Sequence, residues 1–239
     1  MTFTFLTASP SNTWVERLTF EVERGLLRYD RWQSLLNGLG ITLQVALGAV
    51  LMGVTIGFLL ALMRISKSKI LKGISATYLS VIRGTPLTLQ LLIWWFVVFV
   101  PTGLPQLWVA IVAFGVNSGA YLCEIFRGGI MAVDKGQTEA GRSLGLSGGK
   151  TLCHIVLPQA LKNALPSLGN EFIMLIKETS IVGFIGMTDL TRAANLINSR
   201  TFAPFVPLIS AGILYWTIIT ILTWLLSLLE RRLRKSDTR

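Results

Sequence analysis

Two groups of residues in this chain are of the types that do chemistry. One is the loop Leu146-Ser-Gly-Gly-Lys-Thr151, whose glycines, lysine and threonine are residues that cradle phosphate. The other is a set of charges within apolar sequence: Glu171, Lys177 and Glu178, with Asn117, Tyr121 and Glu124 upstream. The loop fails as a nucleotide site on spacing. A phosphate-binding loop reads GxxxxGK[ST], so Gly149-Lys150-Thr151 needs a glycine at 144, where Leu144 stands. It also needs a preceding strand that opens onto a helix N-terminus, and the flanks AGRSLG and LCHIVLP hold none. LSGGK is one residue from the ATPase signature LSGGQ, but that signature works only opposite a phosphate-binding loop in a soluble fold. The small residues here make a turn.

The charges are a different matter. At mid-bilayer each costs about 2.5–3.5 kcal/mol, so a helix carrying three must turn them towards protein or water. Glu171 and Glu178 are seven apart and share a helix face, with Met174 and Leu175 between them, while Lys177 points elsewhere. A path for a polar solute asks for hydrogen-bond acceptors and donors together. This segment, with Asn117, Tyr121 and Glu124, supplies both. The same charges could instead pair structurally at helix ends or a subunit interface, and spacing leaves the two readings open. Arg127 falls near the cytoplasmic end of its span, placed to snorkel or to pair with Glu124.

The elements that must position these residues follow from composition. The chain has 239 residues, 52% of them hydrophobic and 14% charged, where soluble domains carry about a quarter charged. A bilayer core needs about 20 apolar residues per helix. Five stretches qualify: 36–63, 76–100 (interrupted by RGTP at 83–86), 107–130, a weaker 160–185, and 207–229. The fold class is therefore an all-α polytopic membrane protein. Gly48, Gly53 and Gly57 allow close packing of the first span, and Pro86 a kink in the second, with Gly84 admitting a neighbouring helix. Residues 1–34 form an N-terminal extracytoplasmic or interfacial segment, with an amphipathic helix running from Trp14 through Leu18, Val22 and Leu26 to Tyr29. Residues 35–230 form the transmembrane domain, and 231–239 a basic tail.

Five spans put the termini on opposite sides. Fifteen Lys and Arg fall on the side of the 64–75 loop, the 131–158 loop and the tail, against six on the other. The N-terminus is expected outside and the C-terminus in the cytoplasm. The net charge of +10 thus reports topology, not nucleic acid. One histidine, His154, and two unpaired-looking cysteines, Cys123 and Cys153, make no metal set.

The wider window EAGRSLGLSGGKTLCHIVLP carries the strongest signal. Glu139-Ala140-Gly141, then Gly145, then Ile155 and Leu157-Pro158 have the spacing EAA, three residues, G, nine residues, IxLP. In this the chain resembles the permease subunits of bacterial type I ABC importers, with their EAA loop; Gly141 in place of the second alanine is the one departure. VIRGTPLTLQLL, SGAYLCEIFRGGI, LPQALKNALPSLGNEFIMLIKETSIV and DLTRAANLINSRTF look like the polar amino acid branch, the histidine/glutamine/arginine type. The resemblance covers about residues 36–230. Locally, Gly145 permits the end of a helix over 134–144, Ser147 caps a second short helix to about Leu157, and Pro158 sets the start of the fourth span.

That resemblance implies a permease with five transmembrane helices and a coupling loop (134–158) between the third and fourth. Glu139, Ala140, Gly141, Gly145, Ile155, Leu157 and Pro158 would dock on a separate ATPase. The subunit would have no catalytic site and bind no cofactor, ATP and Mg being held by the partner. Partners would be a second permease (a copy or a paralogue), two ATPase subunits, an extracytoplasmic solute-binding protein, a polar amino acid and membrane lipid, in the bacterial cytoplasmic membrane. The match of Glu178-Thr179-Ser180 to the family's D/E-T-S stretch adds Thr179 and Ser180 to the substrate path. An ion-gradient-driven secondary transporter is the alternative, and it accounts for membrane charges but not for the EAA loop. An intramembrane enzyme would need a His, Asp or Ser/Lys set inside the spans, which hold no Asp and no His.

Overall fold

The computed structural model describes residues 13–235. The first part of the N-terminal segment and the end of the basic tail, residues 1–12 and 236–239, lie outside the described residues. Almost all of what is described is helical.

Helix α1 (Trp14–Val22) continues in a widened turn to Leu27. The expected amphipathic helix does not reach Tyr29: Tyr29 and Asp30 take positive φ (61° and 50°) and break the axis. Left-handed backbone is costly at a tyrosine, and side chains gather around it. The Arg28 and Arg31 guanidinium carbons sit 5.5 and 5.4 Å from the Tyr29 ring centroid, and Arg31 donates to the Arg24 carbonyl across the break. Gly25 is buried, and a Cβ there would lie 3.6 Å from Pro207 and Val206, so this segment docks on the start of the last helix.

Helix α2 (Arg31–Ile65) packs most extensively on α5 (Gln106–Met131). The glycines expected to permit close approach do so. A Cβ on Gly57 would lie 2.7 Å from Leu122 Cβ and 2.9 Å from the Cys123 nitrogen, and one on Gly48 2.6 Å from Ile111 Cδ1. Contact with backbone cannot be relieved by turning a side chain. Across this seam Phe114, Val45, Leu91 and Ile176 are fully buried and form the centre of the core.

The expected second span is not one element. Helix α3 (Lys69–Arg83), capped by Ser68, meets the next helical stretch, α4 (Leu87–Thr102), at 99°. Pro86 cannot continue the helix and forces extended backbone before it. Gly84 closes α3, its nitrogen donating to the Ser80 carbonyl (3.0 Å), and a Cβ there would meet Ser80 O at 2.5 Å; its close neighbour is its own helix, not another.

Helices α6 (Lys135–Ser143) and α7 (Gly148–Thr151) lie in the loop between α5 and α8 (Leu157–Glu178). The apolar run after Glu178, expected to extend that span to 185, instead coils tightly over Thr179–Ile185 and ends at Gly186 (φ +88°). Then α9 (Leu190–Thr201), capped by Asp189, and α10 (Phe205–Lys235) complete the chain. Among the described residues three helical runs, those containing α2, α5 and α10, are long and apolar enough to cross a membrane, and the bent pair α3–α4 raises the number to four. Helix α8, with Lys162, Glu171, Lys177 and Glu178, is not among them.

Candidate functional site: a loop knob and a charged cleft

The loop residues form a compact knob. Asp134 caps α6, accepting from the Gly136 nitrogen at 2.6 Å. At the other end Gly145 takes φ +83°, Leu146 N donates to Gly141 O (3.1 Å) and Gly145 N to Arg142 O (3.0 Å). That pair of bonds is a Schellman motif, and it needs a residue without Cβ strain at 145. Ser147 caps α7 through the Lys150 nitrogen (3.4 Å). Gly141 is buried against α7 and the widened turn beyond it: a Cβ would lie 2.8 Å from Ile155 Cδ1 and 2.9 Å from Thr151 Cγ2. The glycine at this position is therefore matched by the bulk of Thr151 and Ile155 facing it.

The second short helix, expected to run to about Leu157 with Pro158 setting the start of the next span, is continuous with α8, which begins at Leu157. Backbone stays helical from Gly148 through Leu152–Val156 into α8, with widened turns over Leu152–Val156. Pro158 removes an N–H and its ring crowds the carbonyl four residues back, which a widened turn relieves without breaking the helix. Leu157 is half-buried and Pro158 exposed. Gln159 donates to Ile155 O (2.9 Å) and reaches Gln137 on α6 (3.4 Å), tying the knob to α8. Glu139, Ala140 and Gly145 are exposed, and between them Leu144 is 82% exposed. Leu144 has no place in the EAA pattern, and its only signal in the sequence is an apolar residue at a helix end in a polar loop.

The candidate substrate-path residues are not one constellation. Asn117 is buried and donates to Gln90 Oε1 (3.0 Å), while Gln90 Nε2 donates to Ile82 O, Thr85 O and Thr85 Oγ1 at 2.7–3.1 Å. Asn117 thus braces the 99° bend. Glu171 is 9% exposed and accepts from Ser118 Oγ (2.9 Å) on α5, a structural pairing. Lys177 is exposed and Glu178 half-buried, while Thr179 is buried and donates to Ile176 O (2.8 Å). Ser180 lines a separate cavity of about 440 Å³ with Arg192, Asn195 and Ser199.

Tyr121 and Glu124 do come together. They line a cleft of about 600 Å³ with Arg64, Ser80, Arg83 and Gly84, where α2, α3 and α5 meet. Glu124 accepts from Arg127 at 2.6 and 3.0 Å, one of the two expected placements of Arg127, and lies 3.6 Å from Arg64. The Arg83 guanidinium carbon stands 5.4 Å from the Tyr121 ring centroid. A carboxylate, two guanidinium groups and a phenol line one opening, so the cleft offers both an acceptor and donors. In the sequence Arg64 and Arg83 speak to topology and architecture; opposite charges near facing helix ends are the one signal of a shared cleft.

Among the described residues no strand precedes the 146–151 loop and no cluster of His, Cys, Asp or Glu could hold a metal ion.

The chain is similar to known proteins over most of its length. Residues 53–235 match the family described as the binding-protein-dependent transport system inner membrane component. The arginine transport system permease protein ArtQ of Bacillus subtilis (strain 168) is 42% identical over 211 residues, 85% of this chain and 94% of that one. The putative glutamine transport system permease protein GlnP of Rickettsia bellii (strain RML369-C) is 38% identical over 83% of this chain and 92% of that one. The L-cystine transport system permease protein TcyB of Bacillus subtilis (strain 168) is 37% identical over 87% and 90%. A solved amino acid ABC transporter with histidines superimposes with a TM-score of 0.79 at 39% identity, over 93% of this chain and all of that one. A structure of the MetNI methionine ABC transporter shares the fold, with a TM-score of 0.64 at 17% identity.

Proposed function

The chain belongs to the family of binding-protein-dependent transport system inner membrane components, and on that footing we propose that it is the transmembrane permease subunit of an ATP-driven importer of a polar amino acid. What carries this reading is the 42% identity to an arginine permease over 85% of this chain and 94% of that one. The 134–158 knob supports it, being compact, capped at both helix starts and exposed along Glu139, Ala140 and Leu144.

In this reading the knob docks in a cytoplasmic ATPase, which holds the ATP and Mg, and this chain supplies no catalytic group. Two permease subunits pair over two ATPase subunits, and a solute-binding protein delivers the amino acid from outside. Helix α8 is the fifth span. Its charges are admissible because Glu171 is turned to Ser118 inside the bundle, and its 22 residues reach about 33 Å. The N-terminus then lies outside and the tail in the cytoplasm.

The substrate station is the cleft of Arg64, Arg83, Tyr121 and Glu124. Glu124 has lone pairs beyond those used by Arg127 and takes the substrate ammonium; Arg83 and Arg64 take the carboxylate. Asn117, Glu171 and Thr179 are committed to bonds within the bundle and stand outside this step.

The test is uptake of labelled arginine and glutamine into liposomes holding the permease, its neighbouring ATPase and its binding protein. The reading expects accumulation that requires ATP and the binding protein and ignores ion gradients. Accumulation driven by a sodium or proton gradient without ATPase would replace it with a secondary carrier.

A further inference from the structure

Between the knob and the bundle lies a groove of about 790 Å³, separate from the Glu124 cleft. Its walls are the ends of α2 and α5 and the α7–α8 connection, and Ile65, Met131, Leu152 and Val156 make most of it apolar. Two cations line it, Lys67 on the α2–α3 turn and Lys135 at the start of α6. Neither makes an ion pair among the described residues. Asp134, beside Lys135, turns its carboxylate to its own helix at Gly136. Met131 and Ile65 end helices that are long and apolar enough to cross a membrane, so in the span arrangement proposed above the groove opens at the level of headgroups.

We infer that this groove binds an anionic phospholipid, its phosphate between Lys67 and Lys135 and an acyl chain along the apolar wall. Charge complementarity decides the occupant: an apolar slot with two uncompensated ammonium groups at a membrane boundary is met by an amphiphile with a negative head. The neighbourhood agrees, since the first turns of α3 expose Ile70 and Ile74 beside Lys69 and Lys72. Because Lys67 belongs to the bundle and Lys135 to the knob, the lipid would hold one to the other. Anionic lipid would then stiffen the joint through which movement of the knob reaches the helices.

The experiment is native mass spectrometry of the full-length chain, with the subunits it purifies with, released from nanodiscs of mixed phosphatidylcholine and phosphatidylglycerol. The wild type should retain phosphatidylglycerol in preference, and inorganic phosphate should not displace it. Lys67→Gln with Lys135→Gln should weaken retention about 30-fold, and Lys67→Arg with Lys135→Arg should preserve it. Lys69→Gln with Lys72→Gln removes the same charge outside the groove and should cost clearly less. Equal losses from the two glutamine pairs would reduce the effect to surface potential and overturn the site, as would no loss from either. Unchanged lipid retention with loss of a protein subunit would make that subunit the occupant and also overturn it. The readout is lipid bound, so it is independent of which solute the chain transports.

Discussion

Glu124 and Glu171 are both acids inside a helical bundle, and their surroundings prepare them for different work. Glu171 is nearly sealed, with one hydroxyl partner, and Glu124 opens into a cleft lined with guanidinium groups. Glu171→Gln keeps an acceptor for Ser118 and should leave uptake intact, whereas Ser118→Ala leaves a buried carboxyl unpartnered. The latter should cost about 1–3 kcal/mol in thermal unfolding of the detergent-purified subunit. Glu124→Gln removes a charged acceptor from the proposed station and should raise the KM for amino acid about tenfold or more, with the fold unchanged by circular dichroism. Unchanged KM would move the station elsewhere. Both acids stand out in the sequence, yet spacing does not separate them, because the deciding partner, Ser118, is 53 residues from Glu171 and on another helix. Gly145 was legible for the opposite reason. Its role is local, a positive φ closing the helix just before it, and Gly145→Ala should cost about 1–2 kcal/mol, with Gly145→Asn better tolerated.

At the scale of elements, two joints hold the bundle in shape. The α2–α5 seam is closed through glycines spaced along α2, and Gly57→Ala would drive a Cβ into backbone at Cys123. Overpacking of this kind costs about 1–3 kcal/mol, which thermal unfolding should register. The bend between α3 and α4 is braced by Gln90, whose amide serves three acceptors and accepts from Asn117. Gln90→Leu strands those groups and should cost about 1–3 kcal/mol or more, and a double change with Asn117→Leu should be less than additive. The seam was visible in the spacing of Gly48, Gly53 and Gly57. The size of the bend was not: Gly-Thr-Pro announces an interruption, but the angle is set by what α4 packs against. The same limit explains Pro158, which reads as a boundary in sequence and is absorbed by a widened helix.

The whole molecule has a direction: a knob at one end of α8, an acid- and arginine-lined cleft among α2, α3 and α5, and the α9 segment at the far end of α8. The unequal distribution of Lys and Arg is the ground for the proposed cytoplasmic knob. The two cysteines make this directly testable, because Cys123 is buried and Cys153 is exposed on the knob. The decisive measurement is modification of Cys153 by a membrane-impermeant maleimide, read by mass spectrometry, in inside-out and right-side-out vesicles with and without the partner ATPase. A cytoplasmic knob that docks on the ATPase predicts labelling only in inside-out vesicles, and protection when the ATPase is bound. Labelling from the outside, or labelling at the same rate with the ATPase in place, would contradict it.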